Sequence, residues 1–454
     1  MLQEFAVPTA LMFFMFVGVL LKKYTFIKRT HLPAPIIGGL IGFILMNTGV
    51  LGLPYQTFER ITFHLFSLSF ISITYMNMNE KKGANKGVFR GGLWLALMFG
   101  LMIAVQLIVG SSIFLGWNVL SSNDLLPALG GLVAHGFGQG PGQAVAMGTI
   151  WQNLENITGV ENAAQYGLFY AATGYLFAIS VGIPYGKRLI KQNKVDYDTV
   201  DPEEETNFTN GIIENDNHEP IGRQTSHHAN VDTVTLHFAL TGGTYFITYL
   251  IIYGIDVLSG GFTQSTAALM YGNIFAWGIL VAMLFKAIIK KVKLNYIIDD
   301  RFQKSITGFL VDYLMLSALM AISLAVISDG IVPVLVTVLI TGVLTFFIVR
   351  YFALRTERNQ YERFMCEFGI VTGTAATGML LLRSVDPQFK TPVIQELAWW
   401  NVLQMFVALH IILSQVGMPV TAFTVWYFII VAVIVVFLVI LKVTKLWSFA
   451  RQVE

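Results

Sequence analysis

The chain has 454 residues, of which 55% are apolar and only 12% charged. Soluble domains carry roughly 25% charged residues, so this composition describes an all-α polytopic membrane protein. A net charge of +2 points to no nucleic-acid partner, and the single Cys366 excludes an intramolecular disulfide framework, a cysteine metal site and a C-x-x-C redox pair.

The N-terminus, MLQEFAVPTALMFF, lacks a Lys/Arg leader and runs straight into an apolar segment, so it reads as a retained first helix. A span takes roughly 20 mostly apolar residues. That criterion predicts helices near 4–21, 34–53, 60–79, 88–116, 163–186, 235–257, 264–289, 305–328, 331–352, 393–415 and 420–444.

Between the fourth and fifth helices no Lys, Arg, Asp or Glu occurs from Leu125 to Leu154. Inside that gap lies GGLVAHGFGQGPGQAVAMG, Gly130 to Gly148. Gly138, Gly140, Pro141 and Gly142 fall where a spanning helix should be most regular, and both residue types are poor in helix interiors. Irregular backbone at membrane depth is tolerated only where protein buries it or it lines a cavity. In secondary transporters such interruptions point to the binding site. A re-entrant hairpin is therefore predicted near 125–152. A second interrupted stretch, CEFGIVTGTAATGMLLL (Cys366 to Leu382), lies between the ninth and tenth helices and predicts another hairpin near 362–384. Residues 191–233 form the only long polar segment and read as a flexible cytoplasmic linker.

Charge gives the orientation. With the N-terminus outside, every Lys and Arg except Arg60 falls in an inside loop or the C-terminal tail, while Asp124, Glu155, Glu161, Asp256 and Asp329 fall outside. This is the positive-inside pattern. It places the linker and the C-terminus in the cytoplasm and the protein in the cell membrane. Residues 1–190 and 234–415 then form an inverted repeat of two five-helix units, each with its hairpin in the same place. The tips approach near mid-membrane, and residues 416–454 add an extra helix and tail.

At such tips half-helix N-termini suit a carboxylate, and freed carbonyls suit a cation. The candidates for substrate binding are Gly138, Gln139, Gly140, Gly142 and Gln143 in the first hairpin and Thr372, Gly373, Thr374, Thr377 and Gly378 in the second. Alternatively, these small residues serve tight helix packing. Asp312, inside the eighth helix, is a candidate for holding Na⁺ or carrying a proton, or is an interfacial carboxylate, solvated or paired with a basic residue. Glu367 has the same two readings, with the interface favoured. Ser67, Thr74, Asn77 and Asn401 are further candidates for ion coupling, or else interhelical glue. His64, His135, His237 and His410 stand singly and read as packing groups. No nucleophile elbow, H-E-x-x-H, Walker loop or cysteine pair occurs, so neither an enzyme nor an ATP-driven pump is predicted, and no cofactor.

Three stretches resemble the bacterial sodium/glutamate symporter family: FIKRTHLPAPIIGGL (Phe26 to Leu40), FGQGPGQA in the first hairpin and EFGIVTGTAATG in the second. The resemblance covers about residues 1–415. It implies a secondary symporter that imports glutamate or a related carboxylate with Na⁺ across the bilayer. It also implies two hairpins in a mobile unit moving past a fixed, dimeric scaffold. Where the family usually has Gly-His-Gly-Thr-Gly, this chain has Gly138-Gln139-Gly140-Pro141-Gly142. The alternatives are another carboxylate, coupling to H⁺ through Asp312, or a channel-like pore.

Overall fold

The structure is a computed structural model that describes residues 2–30, 32–76, 86–155, 157–195, 206–207, 209–213, 220–227, 229–407 and 423–447, and among these no strand occurs. The helices in chain order are α1 (Leu2–Tyr24), α2 (Ala34–Asn47), α3 (Tyr55–Tyr75), α4 (Lys86–Ser121), α5 (Pro127–Gly131), α6 (Val133–Gln152), α7 (Ala163–Lys191) and α8 (Thr233–Leu258). They continue with α9 (Gln264–Gly272), α10 (Ile274–Lys291), α11 (Asp300–Met320), α12 (Ile331–Ala353), α13 (Gln360–Val371), α14 (Ala375–Arg383), α15 (Val393–Val407) and α16 (Phe423–Val443). Among the described residues, six helices are long and apolar enough to cross a membrane. The α9–α10 pair, bent by 51° at Asn273, makes up to seven.

The other four predicted spans are helical but miss that standard for readable reasons. α2 stops after 14 residues, short of the predicted 34–53, because Gly49 and Gly52 take positive φ and Pro54 precedes α3. α3 carries Glu59, Arg60 and several serines, and α11 carries Arg301, Lys304 and Asp312. α15 is described for 15 residues, and residues 408–422 lie outside the described chain.

The chain divides into two compact units. The first comprises residues 1–82, 153–156 and 206–323, and the second 83–152, 157–205 and 324–454. Each unit takes segments from both sequence halves.

In the first unit, α1 and α2 touch backbone to backbone. A Cβ on Gly18 would lie 2.2 Å from the Ala34 carbonyl oxygen, and one on Gly38 would lie 2.1 Å from that of Phe14. Such approach needs small residues, the usual currency of membrane helix packing. α3 joins α11 by polar pairs: Thr62 with Ser317 (2.8 Å), Ser72 with Thr307 (2.8 Å), and Gln303 Nε2 donating to Ser72 Oγ (2.7 Å). Gln303 also donates to Thr241 of α8 (3.2 Å). Asp299 caps α11 by accepting from the Arg301 and Phe302 amides, which is what an N-cap carboxylate does. Part of the predicted linker packs here too: Arg301 donates to the Pro220 carbonyl (3.4 Å) and Ser226 bonds Thr233 (2.9 Å).

In the second unit α4 is the central pole. It is largely buried, and glycines spaced along it receive successive neighbours. Gly91 and Gly92 meet α15, Gly100 meets Phe437 of α16, and Gly110 meets Gly130 of α5. By contrast α8 and α16 are mostly exposed along their lengths. Their outward Leu, Ile, Val and Phe side chains are what a helix shows to lipid.

Candidate functional site

Two helix breaks lie in the second unit, and each has a sequence cause. α6 is interrupted at Gly140, where φ is 76° and ψ −175°. That region is essentially closed to residues with a Cβ. Pro141 follows as the first residue of the next limb, where its missing N–H leaves no hydrogen bond unmade. On one side of the break Gly138 packs against Ile103 of α4. On the other, Ala144 packs on Gly167 and Gly148 on Ala164, both of α7.

The second break separates α13 from α14. Thr374 is fully extended (φ −156°, ψ 177°) and begins α14 without a side-chain cap. The two limbs lie against each other: a Cβ on Gly369 would lie 2.6 Å from the Gly378 Cα, and one on Gly378 would lie 2.7 Å from the Cys366 carbonyl oxygen. Thr377 Oγ1 covers Gly373, 2.5 Å from where its Cβ would be.

The breaks meet. A Cβ on Gly140 would lie 2.6 Å from Thr374 Cγ2, 3.5 Å from the Gly373 carbonyl oxygen and 3.6 Å from Tyr175 Oη. Tyr175 of α7 donates its hydroxyl to Thr374 Oγ1 (3.1 Å), tying the second break to the helix that packs on the first. The limbs starting at Pro141 and Ala375 bring helix N-termini to this region, where free N–H groups and the positive dipole end favour an anion. The end of α13 brings carbonyl oxygens. No charged side chain occurs in residues 138–143 or 372–378, so any charge recognition here rests on backbone, hydroxyl and amide groups.

The sequence candidates divide between the units. Gly138, Gln139, Gly140, Gly142, Gln143, Thr372, Gly373, Thr374, Thr377 and Gly378 all lie at or beside the two breaks. Gln143, Thr372 and Thr377 are buried, and Gln139 Oε1 pairs with His135 Nδ1 at 3.3 Å. Asn401, on α15 of the same unit, donates to its own helix at Leu397 (3.2 Å). Ser67, Thr74 and Asp312 belong to the first unit. Ser67 and Thr74 donate back to Phe63 (3.1 Å) and Phe70 (2.9 Å), and Asp312 is exposed on α11. Asn77 lies outside the described residues. His64 bonds Tyr245 Oη (2.7 Å), and His237 Nε2 accepts from the Asp299 amide (2.9 Å), so both act as packing groups.

The structure adds residues that the sequence reading passed over. Gln106 of α4, fully buried, donates to the Val371 carbonyl at the end of α13 (2.9 Å) and to Thr345 Oγ1 (3.1 Å). Thr337, Thr341 and Thr345 form one buried face of α12. Gln106 Oε1 and Thr341 Oγ1 have no hydrogen-bond partner among the described residues, while Tyr170 Oη faces Thr337. Buried polar atoms are normally satisfied, so this strip is polar capacity held in reserve. Its sequence trace was a four-residue threonine spacing inside an apolar span. Among the described residues no cluster of His, Cys, Asp or Glu is suited to a metal ion.

Fold and site together define a multi-pass membrane protein organised around two facing helix breaks. Residues 3–391 match the model of the sodium/glutamate symporter family, and the chain belongs to that family. No curated protein and no solved structure matches it. Membership supports Na⁺-coupled transport, with glutamate and Na⁺ as the transported partners that the family implies.

Proposed function

We propose that this protein is a secondary symporter that imports glutamate, or a closely related carboxylate, with Na⁺ by an elevator-type cycle. The observation that carries the reading is the meeting of Gly140 with Thr374 and Gly373. Two broken helices there bring N–H-rich and carbonyl-rich ends to one place without any fixed charge. A carboxylate is suited to the N-termini at Pro141 and Ala375. Na⁺ is suited to neutral oxygens such as the Val371 carbonyl, Gln106 Oε1, Thr341 Oγ1 and Thr345 Oγ1. Symport follows when ion and substrate each stabilise the same arrangement, so that each raises the other's affinity.

Both breaks read as re-entrant hairpins. The first limb of one follows α4 from Gly110 at Gly130 to Ile103 at Gly138, and its second limb follows α7 from Gly167 at Ala144 to Ala164 at Gly148. The other folds back so that Gly369 abuts Gly378. The inverted repeat, 1–190 and 234–415 joined by 191–233 and followed by 416–454, is supported by the partition of helices. α1–α3 and α8–α11 share one unit, and α4–α7 share the other with α12–α16. On this reading the unit with the breaks is the mobile carrier and the other is the scaffold of a homodimer. The N-terminus lies outside, and the linker and C-terminus lie in the cytoplasm. Asp312, Ser67, Thr74, Asn77 and Asn401 remain candidates for ion coupling. Uptake of radiolabelled glutamate into proteoliposomes, with and without an inward Na⁺ gradient, tests the function. Accumulation only with the gradient is expected, and gradient-independent equilibration would indicate a pore instead.

A further inference from the structure

Glu367 lies on α13, one turn before the helix ends at the second break. It is 0% exposed, and neither carboxyl oxygen has a hydrogen-bond partner among the described residues. One turn earlier on the same helix, Arg363 clasps Glu396 of α15 through Nε (2.8 Å) and Nη2 (2.7 Å), while its Nη1 donates to the Arg358 carbonyl (2.9 Å). Glu396 is 1% exposed.

The direction of the neighbouring helices places Glu367 relative to the clasp. α15 runs alongside α4 in the same direction, with Gly91 against Glu396, Gly92 against Trp399 and Gly100 against Val407. α13 shares that direction, since its Arg363 meets Glu396 near Gly91 and its Val371 meets Gln106 further along α4. Glu367 therefore stands one turn beyond the clasp, between it and the end of the helix where Val371 meets Gln106.

The one guanidinium close to both buried carboxyl groups is thus engaged by Glu396 and not by Glu367. Were both ionised, the interior would hold an uncompensated negative charge, which burial opposes strongly. The remaining ionisable groups on the elements around α13 do not bond it. Arg350 of α12 donates to Tyr185 Oη (2.8 Å), Tyr175 of α7 to Thr374 (3.1 Å), and Arg90 of α4 to the Thr444 and Lys445 carbonyls (3.3 Å each). His135 of α6 pairs with Gln139, and Glu362 and Arg383 have interactions of their own. The adjacent Cys366 is a buried thiol with no charge to offer.

We propose that Glu367 is a proton-binding site of the transporter, occupied in the arrangement described and emptied when the Arg363 clasp opens. Arg363 sits four residues before Glu367, the spacing at which helical side chains meet. Turning from Glu396 to Glu367 would give that carboxylate its counter-ion and release the proton to water. Because the same helix ends at the break, the proton is tied to the cycle that carries substrate. The proposal rests on the transport reading only for the coupling, not for the protonation.

The test therefore has two independent readouts on the full-length, reconstituted protein. Infrared spectra at neutral pH should contain a protonated-carboxyl C=O band that Glu367→Gln removes. Glu396→Gln should remove it too, with Glu367 still present, because Arg363 is then free to pair with it. That second variant carries the test if Glu367→Gln fails to fold. A pH-sensitive dye trapped in the vesicles should then record acidification when glutamate is added under a Na⁺ gradient. In Glu367→Gln the acidification per glutamate taken up should be lost. Absence of a Glu367-dependent band, or an acidification unchanged by Glu367→Gln, overturns the proposal. A band without any glutamate uptake leaves the proton site standing and defeats the transport reading instead.

Discussion

Gly140 and Thr374 are held so close that a single methyl group on the glycine would lie 2.6 Å from Thr374 Cγ2. Two separate costs therefore oppose Gly140→Ala: the backbone conformation at φ 76°, about 1–3 kcal/mol for such strain, and the clash itself. Glutamate uptake by Gly140→Ala is expected to fall about tenfold or more, since 1.4 kcal/mol is tenfold. Thr374→Ser, which deletes the clashing methyl, should restore only part of that loss in the double variant. Initial uptake rates normalised to membrane protein level measure both.

Gln106 bonds the end of α13 to α12, through Val371 and Thr345. Gln106→Leu leaves the Val371 carbonyl buried without that donor, a loss of about 1–3 kcal/mol. It also removes an oxygen suited to Na⁺. The Na⁺ concentration for half-maximal uptake is expected to rise several-fold, with a smaller change in the glutamate dependence at saturating Na⁺. An equal shift in both would instead mark Gln106 as a general packing residue.

Removing one member of a buried ion pair costs about 3–5 kcal/mol because the other charge is stranded. The Arg363–Glu396 clasp should break that symmetry. Arg363→Gln strands Glu396 beside a second carboxyl group, whereas Glu396→Gln leaves Arg363 with Glu367 four residues away. Thermal unfolding in detergent is expected to be lowered markedly more by Arg363→Gln than by Glu396→Gln.

In the first unit Lys286 of α10 donates to the Thr74 and Met76 carbonyls (2.7 Å each), closing the C-terminal end of α3. Lys286→Met removes two charge-assisted bonds, each worth about 1.5–3 kcal/mol at most. A lower unfolding temperature is expected, with the Na⁺ and glutamate dependence of the surviving protein unchanged.

The charge-derived orientation is open to labelling, since Cys366 is the only cysteine and is buried. An impermeant thiol reagent applied to intact cells should modify Asp124→Cys directly. Lys194→Cys should react only after the membrane is permeabilised.

Much of this architecture is legible in the residues because the bilayer imposes its length on apolar runs. The α12 and α16 segments are built mostly of Val, Ile, Leu and Phe. Gly140 and Pro141 announce their interruption because neither belongs inside a helix. The bend at Asn273 had no such marker, as its neighbours Gly272 and Ile274 are ordinary in a membrane helix. Single buried polar groups were the least legible. Glu367 reads as interfacial in the sequence, yet α13 packs so that its carboxyl has no exposure. Gln106 looks like an isolated amide until Val371 and Thr345 are brought to it. Which side chain is enclosed depends on how helices far apart in sequence meet, and hydropathy along one segment carries no record of that.

The most direct test is the Na⁺ dependence of glutamate accumulation by the purified protein in proteoliposomes. Radiolabelled glutamate should rise inside above the external concentration when Na⁺ is high outside, and should not when Na⁺ is equal on both sides. Equal uptake in the two conditions, or none in either with folded protein present, would contradict a Na⁺-driven carrier built on the meeting of Gly140 and Thr374.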